Sequence, residues 1–321
     1  MIDIIIPAYN AYKTIEQTLL SICSQTISPL VKVYIIDDCS EKTYDYLQAV
    51  FNKRLDITII RNETNMGPGA CHNIGLDHAK GDYIFFLDSD DLLYNCYSLQ
   101  NAYNTIEENP DIDLVTGTTA FEEANGEISF INNHNRCLHG KLYRRSYIEK
   151  YHLRFNNTYN HEDSAFHTLF LISQPNIKII KNKLYFYRYN TESITKRDKL
   201  YDYHALSVFI ENTLSLVFEA EKRKFNKIMI GKNLFANICY VYYLHLNYLD
   251  QPDLNHLYHK LLPVIMLYNS YDKFVPKKDK YTIYYGFSHN YLDIPPFSFN
   301  EFLKRINESY KKEKKVIEWK N

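Results

Sequence analysis

The 321-residue chain has almost no net charge: 37 Lys and Arg stand against 38 Asp and Glu, a formal −1 at pH 7. Without a basic excess there is no overall electrostatic case for nucleic acid as the partner. No uninterrupted apolar run approaches the roughly 20 residues that span a bilayer. No transmembrane segment is therefore expected, and membrane contact would be peripheral. Glycine is scarce, at 9 residues, and the three-glycine dinucleotide fingerprint is absent. The N-terminal turn, Pro7-Ala8-Tyr9-Asn10, lacks the glycine-rich, basic triphosphate loop a nucleotidyltransferase would use. The six cysteines (Cys23, Cys39, Cys71, Cys96, Cys137, Cys239) are dispersed without metal-ligand spacing. That usage reads as reduced thiols in a cytoplasmic protein. The chain enters a strand at once, so no signal peptide is expected, and no internal repeat is evident.

What the chain does have is a recurring pattern of apolar strand followed by polar turn. Ile2–Ile6 runs into Pro7-Ala8-Tyr9-Asn10, and Val31–Ile36 into Asp37-Asp38-Cys39-Ser40. Asp56–Ile60 runs into Arg61-Asn62-Glu63-Thr64-Asn65, and Ile84–Leu87 into Asp88-Ser89-Asp90-Asp91. Helical spacing lies between them, in Ile15, Leu19, Ile22 and again in Tyr44, Leu47, Phe51. Apolar strands alternating with helices predict an α/β fold whose parallel sheet is covered on both faces. Ligands of such sheets bind beyond the carboxyl ends of the strands, where these polar turns fall.

The last turn carries three carboxylates in four residues, which repel one another, the more so if buried. Asp88 and Asp90 are two apart; on a strand they would share a side, roughly 6–7 Å from each other. A hard divalent ion completed by a substrate's phosphates suits that arrangement. A solvated turn with Asp91 capping the next helix fits the same residues.

Taken in order, these turns, with Asn65-Met66-Gly67 through Asn73-Ile74-Gly75 and with Gly81-Asp82-Tyr83, resemble family 2 glycosyltransferases. His139-Gly140-Lys141-Leu142-Tyr143, His161-Glu162-Asp163-Ser164-Ala165-Phe166, Tyr187-Arg188 and Ser193-Ile194-Thr195 extend the likeness to about residue 200. The resemblance implies the nucleotide-sugar-binding GT-A fold, which is Rossmann-like with a mixed, mainly parallel sheet. It also implies an inverting transfer that depends on Mn²⁺ or Mg²⁺. Asp38 would accept a hydrogen bond from the nucleotide base, commonly uracil; a helix N-cap is the bland alternative. Asp88 would lie near ribose or metal, and Asp90 would ligate the ion that bridges the phosphates. Pro7, Tyr9, Asn10, Asn65, Ser89, Arg188 and Ser193 would complete the donor site, with a UDP-sugar as the first choice. Asp163 would be the general base, with Glu162 supporting the acceptor or the local structure, although acidic residues also suit the first turn of a helix.

Two departures bear on the donor. Cys39 stands where glycine or serine is frequent, and His72 where many relatives have arginine, so a permanent charge near the nucleotide is replaced by a near-neutral ring. His72 reads equally as a core or surface histidine after Gly67-Pro68-Gly69, whose glycines turn the backbone sharply into a helix.

Beyond residue 200 the pattern changes. Leu206, Phe209, Ile210, Leu214, Val217, then Leu234, Ile238, Val241, Tyr242, Leu246, then Leu254, Leu257, Leu261, Leu262 each have helical spacing. We expect a GT-A catalytic domain over 1–200 and a mostly helical C-terminal domain over 201–321. Tyrosine is abundant, 30 residues, and Tyr240, Tyr242 and Tyr243 read as packing residues. Asp293-Ile294-Pro295-Pro296 interrupts the pattern before a helical tail with a local basic excess (Lys304, Arg305, Lys311, Lys312, Lys314, Lys315, Lys320). That excess would suit an anionic polymer acceptor, the inner face of a membrane or DNA, or only a solvated helix face. The acceptor expected is a glycan or cell-envelope polymer. A phage-type transfer to hydroxylated DNA bases and a non-catalytic nucleotide-sugar binder are the alternatives.

Overall fold

The computed structural model describes residues 1–132, 137–158, 161–191, 203–248 and 254–290, together with Lys304 and Glu308. The chain divides into two compact units, Met1–Lys196 and Arg197–Asn321. In the first, strands β1 (Ile2–Ala8), β2 (Val31–Asp37), β3 (Asp56–Arg61) and β4 (Tyr83–Phe86) pair in parallel in the order β3-β2-β1-β4. The register sets Ala8 beside Asp37 and Asp37 beside Arg61, so the strands end level. Backbone N–H of Leu87 donates to Ile5 at 3.1 Å, which brings the aspartate turn to the same edge.

Strands β5 (Leu92–Leu93), β6 (Leu114–Glu122), β7 (Ile128–Asn132), β8 (Lys141–Arg144) and β9 (Ile177–Tyr187) continue the sheet. The sheet is mixed there: β8 lies antiparallel to β4 and β6, and β9 parallel to β6. These strands come from residues where no strand was predicted, since the half-exposed β9 and fully exposed β7 lack a continuous apolar run.

Helices cover both faces of the parallel half. Ile4, Ile6, Val33, Ile35 and Phe85 bury themselves against Ile15, Leu19 and Ile22 of α1 (Ile15–Cys23). Between α1 and the next long helix lies α2 (Tyr46–Phe51). On the opposite face α3 (Pro68–His78) packs on β1. Helix α4 (Ser98–Glu107) joins the first face through Leu99, Ala102 and Ile106. Because neighbouring strand residues face opposite layers, burial on both sides requires apolar residues throughout, which is the pattern the sequence carries.

Two further helices, α5 (Arg145–Lys150) and α6 (Glu162–Ile172), follow β8. Between them Phe155 stacks on Phe166 with ring centroids 4.0 Å apart, and both meet Phe86 edge-on. Such pairs each add about 0.5–1.5 kcal/mol beyond area burial. This aromatic cluster seats α6 against the end of β4.

The second unit contains helices Tyr203–Lys222, Lys227–Tyr248, Leu254–Tyr271 and Lys277–Asn290. Phe209, Ile210, Val217, Leu234, Ile238 and Leu261 are buried, as their spacing predicted. Asn237 Nδ2 donates to Thr213 Oγ1 across two helices at 3.2 Å. Tyr240 packs 5.6 Å from Phe209. Ser193, the Asp293-Ile294-Pro295-Pro296 break and the basic tail, apart from Lys304 and Glu308, lie outside the described residues.

Candidate active site

The turn after β2 holds the first carboxylate. Asp38 is only 4% exposed. Its Oδ1 accepts from Asn62 Nδ2 and from Met66 N–H, both at 2.8 Å, and its Oδ2 accepts from Gly67 N–H at 2.8 Å. Asp38 therefore does not cap a helix, since α2 begins only at Tyr46. It gathers the loop after β3, including exposed Asn65, and delivers the chain into α3 through Gly67 at φ 85°. A side chain resists that backbone angle, so glycine is required there. Neighbouring Asp37 is fully buried, accepts from Ser40 N–H at 2.9 Å and pairs with Arg61 at 2.5 Å. Asn10, itself in the left-handed region at φ 52°, links the first two turns. Its N–H donates to Ser40 Oγ at 2.9 Å, and its Oδ1 accepts from Glu41 N–H at 2.9 Å. Pro7 lies opposite Ile36 in the β1–β2 register, and Tyr9 projects into solvent with 55% of its surface exposed.

The aspartate turn is organised differently from an extended strand. β4 stops at Phe86, and Asp91 N–H donates back to Asp88 carbonyl at 3.1 Å, which closes a turn. The strand spacing predicted for Asp88 and Asp90 does not apply, because the chain has already left the sheet. Asp88 faces His139, with Oδ2 3.5 Å from Nε2 and 45% of its side chain accessible. Asp90 Oδ2 accepts from Asn190 Nδ2 at 2.9 Å. Asp91 is 1% exposed and held from behind: Tyr185 hydroxyl donates to Oδ2 at 2.8 Å and Arg188 N–H to Oδ1 at 2.9 Å. Ser89 contributes its carbonyl to Thr18 Oγ1 at 3.0 Å. The Arg188 side chain donates from Nε to the Asp90 carbonyl and from Nη1 to Gln17, while its Nη2 is buried with no partner among the described residues.

Asp88, Asp91 and His139 present one ligand atom each, all within 4.8 Å of one another. Two carboxylates and an imidazole suit Mn²⁺ better than Mg²⁺, which prefers oxygen throughout. Electrostatics supports the fit. Burial and the neighbouring charge of Asp88 raise the pKa of Asp90, and burial with the charges of Asp88 and Asp90 raises that of Asp91 well above its ordinary value. Burial alone would lower His139, but the Cys137 sulfur and Asp88 reverse it and keep the ring protonated. A proton on that imidazole answers the same acidic cluster that a metal would, and ligation by His139 would release it.

His139 and Tyr185 were not assigned a role from the sequence. His139 enters from the turn before β8 and stacks on Tyr185 at 4.6 Å. Between that turn and the sheet lies Lys141, fully buried, whose ammonium donates to the His139 carbonyl at 3.4 Å. Burial pulls its pKa down, opposed by the charges of Cys137 and Asp163. His139 and Lys141 sit in a motif the sequence displayed and Tyr185 in none, and nothing local marks their meeting.

Glu162 and Asp163 open α6, preceded by His161 at φ 61°. Burial in the recess, with the Cys137 sulfur beside it, pushes Asp163 up to about 6. Burial and Asp163's charge raise Glu162 well above its ordinary value. Asp88 contributes to both shifts, so the α6 carboxylates and the aspartate turn share one electrostatic environment. His72, by contrast, is a core residue: it stacks on Phe155 at 4.5 Å, and burial lowers its pKa to about 4. It carries no charge at neutral pH.

A family model, glycosyl transferase family 2, matches residues 3–177. An uncharacterized glycosyltransferase of Haemophilus influenzae is 34% identical over 126 residues, 39% of this chain and 50% of that protein. Poly(ribitol-phosphate) beta-N-acetylglucosaminyltransferase TarS of Staphylococcus aureus is 26% identical over 202 residues, 58% of this chain and 35% of TarS. The chain thus spans half or less of these relatives. The crystal structure of TarS 1–349 in complex with UDP-GlcNAc matches with a TM-score of 0.71 at 18% identity, covering 97% of this chain and 92% of that one. Mannosyltransferase PcManGT from Pyrobaculum calidifontis, in complex with GDP-Man and Mn²⁺, matches with a TM-score of 0.53 at 14% identity, covering 88% and 84%. At these identities the likeness establishes the fold, which is GT-A with helices in the C-terminal region.

Proposed function

Because this chain belongs to glycosyl transferase family 2, we propose that it moves a sugar from a nucleotide-sugar to a hydroxyl of a cell-envelope polymer, with inversion at the anomeric carbon. The observation that carries the reading is that the charge of Asp88 in the aspartate turn reaches both Glu162 and Asp163. Residues 1–196 act as the catalytic domain and the helical unit as an accessory. UDP is the preferred nucleotide, in keeping with the UDP-GlcNAc held by TarS. The polymer acceptor follows from the poly(ribitol phosphate) in the name of TarS.

The step is a single displacement. The acceptor oxygen forms a bond to the anomeric carbon as the bond from that carbon to the phosphate oxygen breaks. The acceptor's proton passes to a carboxylate oxygen of Asp163, and the electron pair of the broken bond leaves on the nucleoside diphosphate. A carboxyl with a pKa of about 6 is ionised at neutral pH yet basic enough to take a proton in the transition state. Burial, the Cys137 sulfur and the charge of Asp88 raise that basicity, and Glu162, itself raised well above its ordinary value, stands beside the base as support. Asp88, Asp90, Asp91 and His139 would hold a divalent cation, which when bound neutralises charge on the departing diphosphate. Asp38, with the loop it gathers, orients the base; Asn65 and exposed Tyr9 line the nucleotide, and Arg188 faces the diphosphate. Ser193, beyond the described residues, is assigned to the donor by resemblance alone.

The test is a thermal-shift screen of nucleotide-sugars with Mn²⁺ present or withheld, followed by release of the free nucleotide. A specific donor stabilises by its binding free energy. The reading fails if no nucleotide-sugar raises the midpoint, or if Asp163→Asn releases nucleotide as fast as the wild type.

A further inference from the structure

Helix α3 and the segment that leads into α6 are joined by more than packing. The Asn73 side-chain amide meets the backbone of Phe155 with both polar atoms. Nδ2 donates to the Phe155 carbonyl at 2.9 Å, and Oδ1 accepts from the Phe155 N–H at 2.8 Å. Nδ2 also lies 3.4 Å from Asn157 Oδ1. One planar amide bonded twice to one residue fixes that residue in orientation as well as in place. A turn earlier, Gly69 allows an unusually close approach. A Cβ there would stand 2.0 Å from the Asn156 carbonyl oxygen and 3.3 Å from Glu162 Cβ. The Phe155 ring, between these two contacts, is clasped by His72 at 4.5 Å and by Phe166 of α6 at 4.0 Å.

The same helix starts where Met66 and Gly67 N–H hold Asp38. One rigid element therefore touches the nucleotide side of the recess at its N-terminus and the base-bearing helix along its flank. Helix α6 gains from such a hold, because it begins with a left-handed residue and has no side-chain cap hydrogen bond among the described residues.

We infer that Asn73 is a positioning residue that holds Asp163 at a fixed place relative to the donor, acting through the backbone of residues 155–157. This rests on the reading of Asp163 as the base, and it adds a residue that touches neither donor nor acceptor. Gly69 serves the same alignment by leaving room for Asn156. Neither residue offers a group to the chemistry.

The experiment compares the full chain with its Asn73→Ala and Gly69→Ala variants. UDP affinity is measured by calorimetry with Mn²⁺, and UDP release from UDP-GlcNAc is followed with water as acceptor across pH. Hydrogen exchange is recorded for the peptide over residues 153–165. Turnover should fall about 10²-fold in each variant, the loss expected for a displacement near 1 Å, with UDP affinity unchanged. Exchange should quicken over 153–165 but not in β1 or β4. The acid limb of the rate should move to lower pH, because a loosened Asp163 gains water and its raised pKa relaxes downward. Should Asn73→Ala fail to fold, Asn73→Asp, which keeps the acceptor for Phe155 N–H and removes only the donor to the Phe155 carbonyl, carries the same test. Unchanged turnover overturns the inference. So does a joint fall of turnover, UDP affinity and thermal midpoint, which would make the contact a general fold support. A wild type that does not bind UDP refutes the donor reading at the outset, and the inference with it.

Discussion

Replacing Asp163 by Asn should raise stability while it removes activity. Burial lifts the Asp163 carboxyl from its ordinary 3.8 to about 6, so at neutral pH the fold holds a charge it disfavours. A shift of that size corresponds to about 3 kcal/mol. Asp163 is only partly buried, so with solvent screening the gain expected in the variant is about 1–3 kcal/mol. The sign follows from proton linkage. A carboxyl whose folded pKa exceeds its unfolded one stabilises the native state most below the unfolded value, and that contribution is lost as pH rises through the folded value. Asparagine has no proton to lose. The variant should therefore exceed the wild type by the full amount well above a pH of about 6, by less between there and 3.8, and by nothing below. Urea unfolding in chelator across that window, with both proteins side by side, reads the difference. Turnover should meanwhile fall by about 10²–10⁴-fold, the usual contribution of a general base. A stability gap that does not change with pH, or a variant less stable than the wild type at neutrality, would refute the reasoning.

Three further outcomes follow from the site. Asp38→Asn must turn an NH₂ toward Met66 N–H or Gly67 N–H, leaving a buried donor unpaired at about 1–3 kcal/mol; the shift is read by chemical denaturation, and UDP affinity should fall with it. Tyr185→Phe removes the hydroxyl that donates to Asp91 and accepts from Asp88 N–H at 3.2 Å, and should cost about 1–3 kcal/mol of stability by the same rule. Asp90→Asn and His139→Ala should each weaken UDP binding in Mn²⁺ yet leave binding in chelator unchanged, as followed by calorimetric titration; the variant with full manganese dependence would be the one that does not face the ion.

Much of this molecule is written locally. Ile4, Ile5, Ile6 and Phe85, Phe86 announce a strand buried on both faces because successive residues point to opposite layers. Polar turns at the strand ends follow from the same rule, since the apolar run stops where the layers stop. The helices of the second unit were readable from the spacing of Phe209, Ile210, Val217, Leu234 and Ile238 for an equally local reason. Gly67 declares itself through a backbone angle that other residues resist. Asp88, Asp90 and Asp91 mark an acidic turn by composition alone, because three like charges close together call for a cation.

Partners distant along the chain are a different matter. His139 meets Asp88 because β8 lies antiparallel to β4, and Tyr185 reaches Asp91 because β9 pairs with β5, Leu93 lying opposite Tyr185. Asn73 and Phe155 are 82 positions apart and carry no shared pattern. His72 gave no sign of whether it faced ligand or core until Phe86 and Phe155 closed around it. Periodicity reports which face a residue turns to its layer, and turn chemistry reports where a layer ends. Neither reports which other layer's residue will be waiting there, because that depends on sheet order and register, quantities set by the packing of the whole unit.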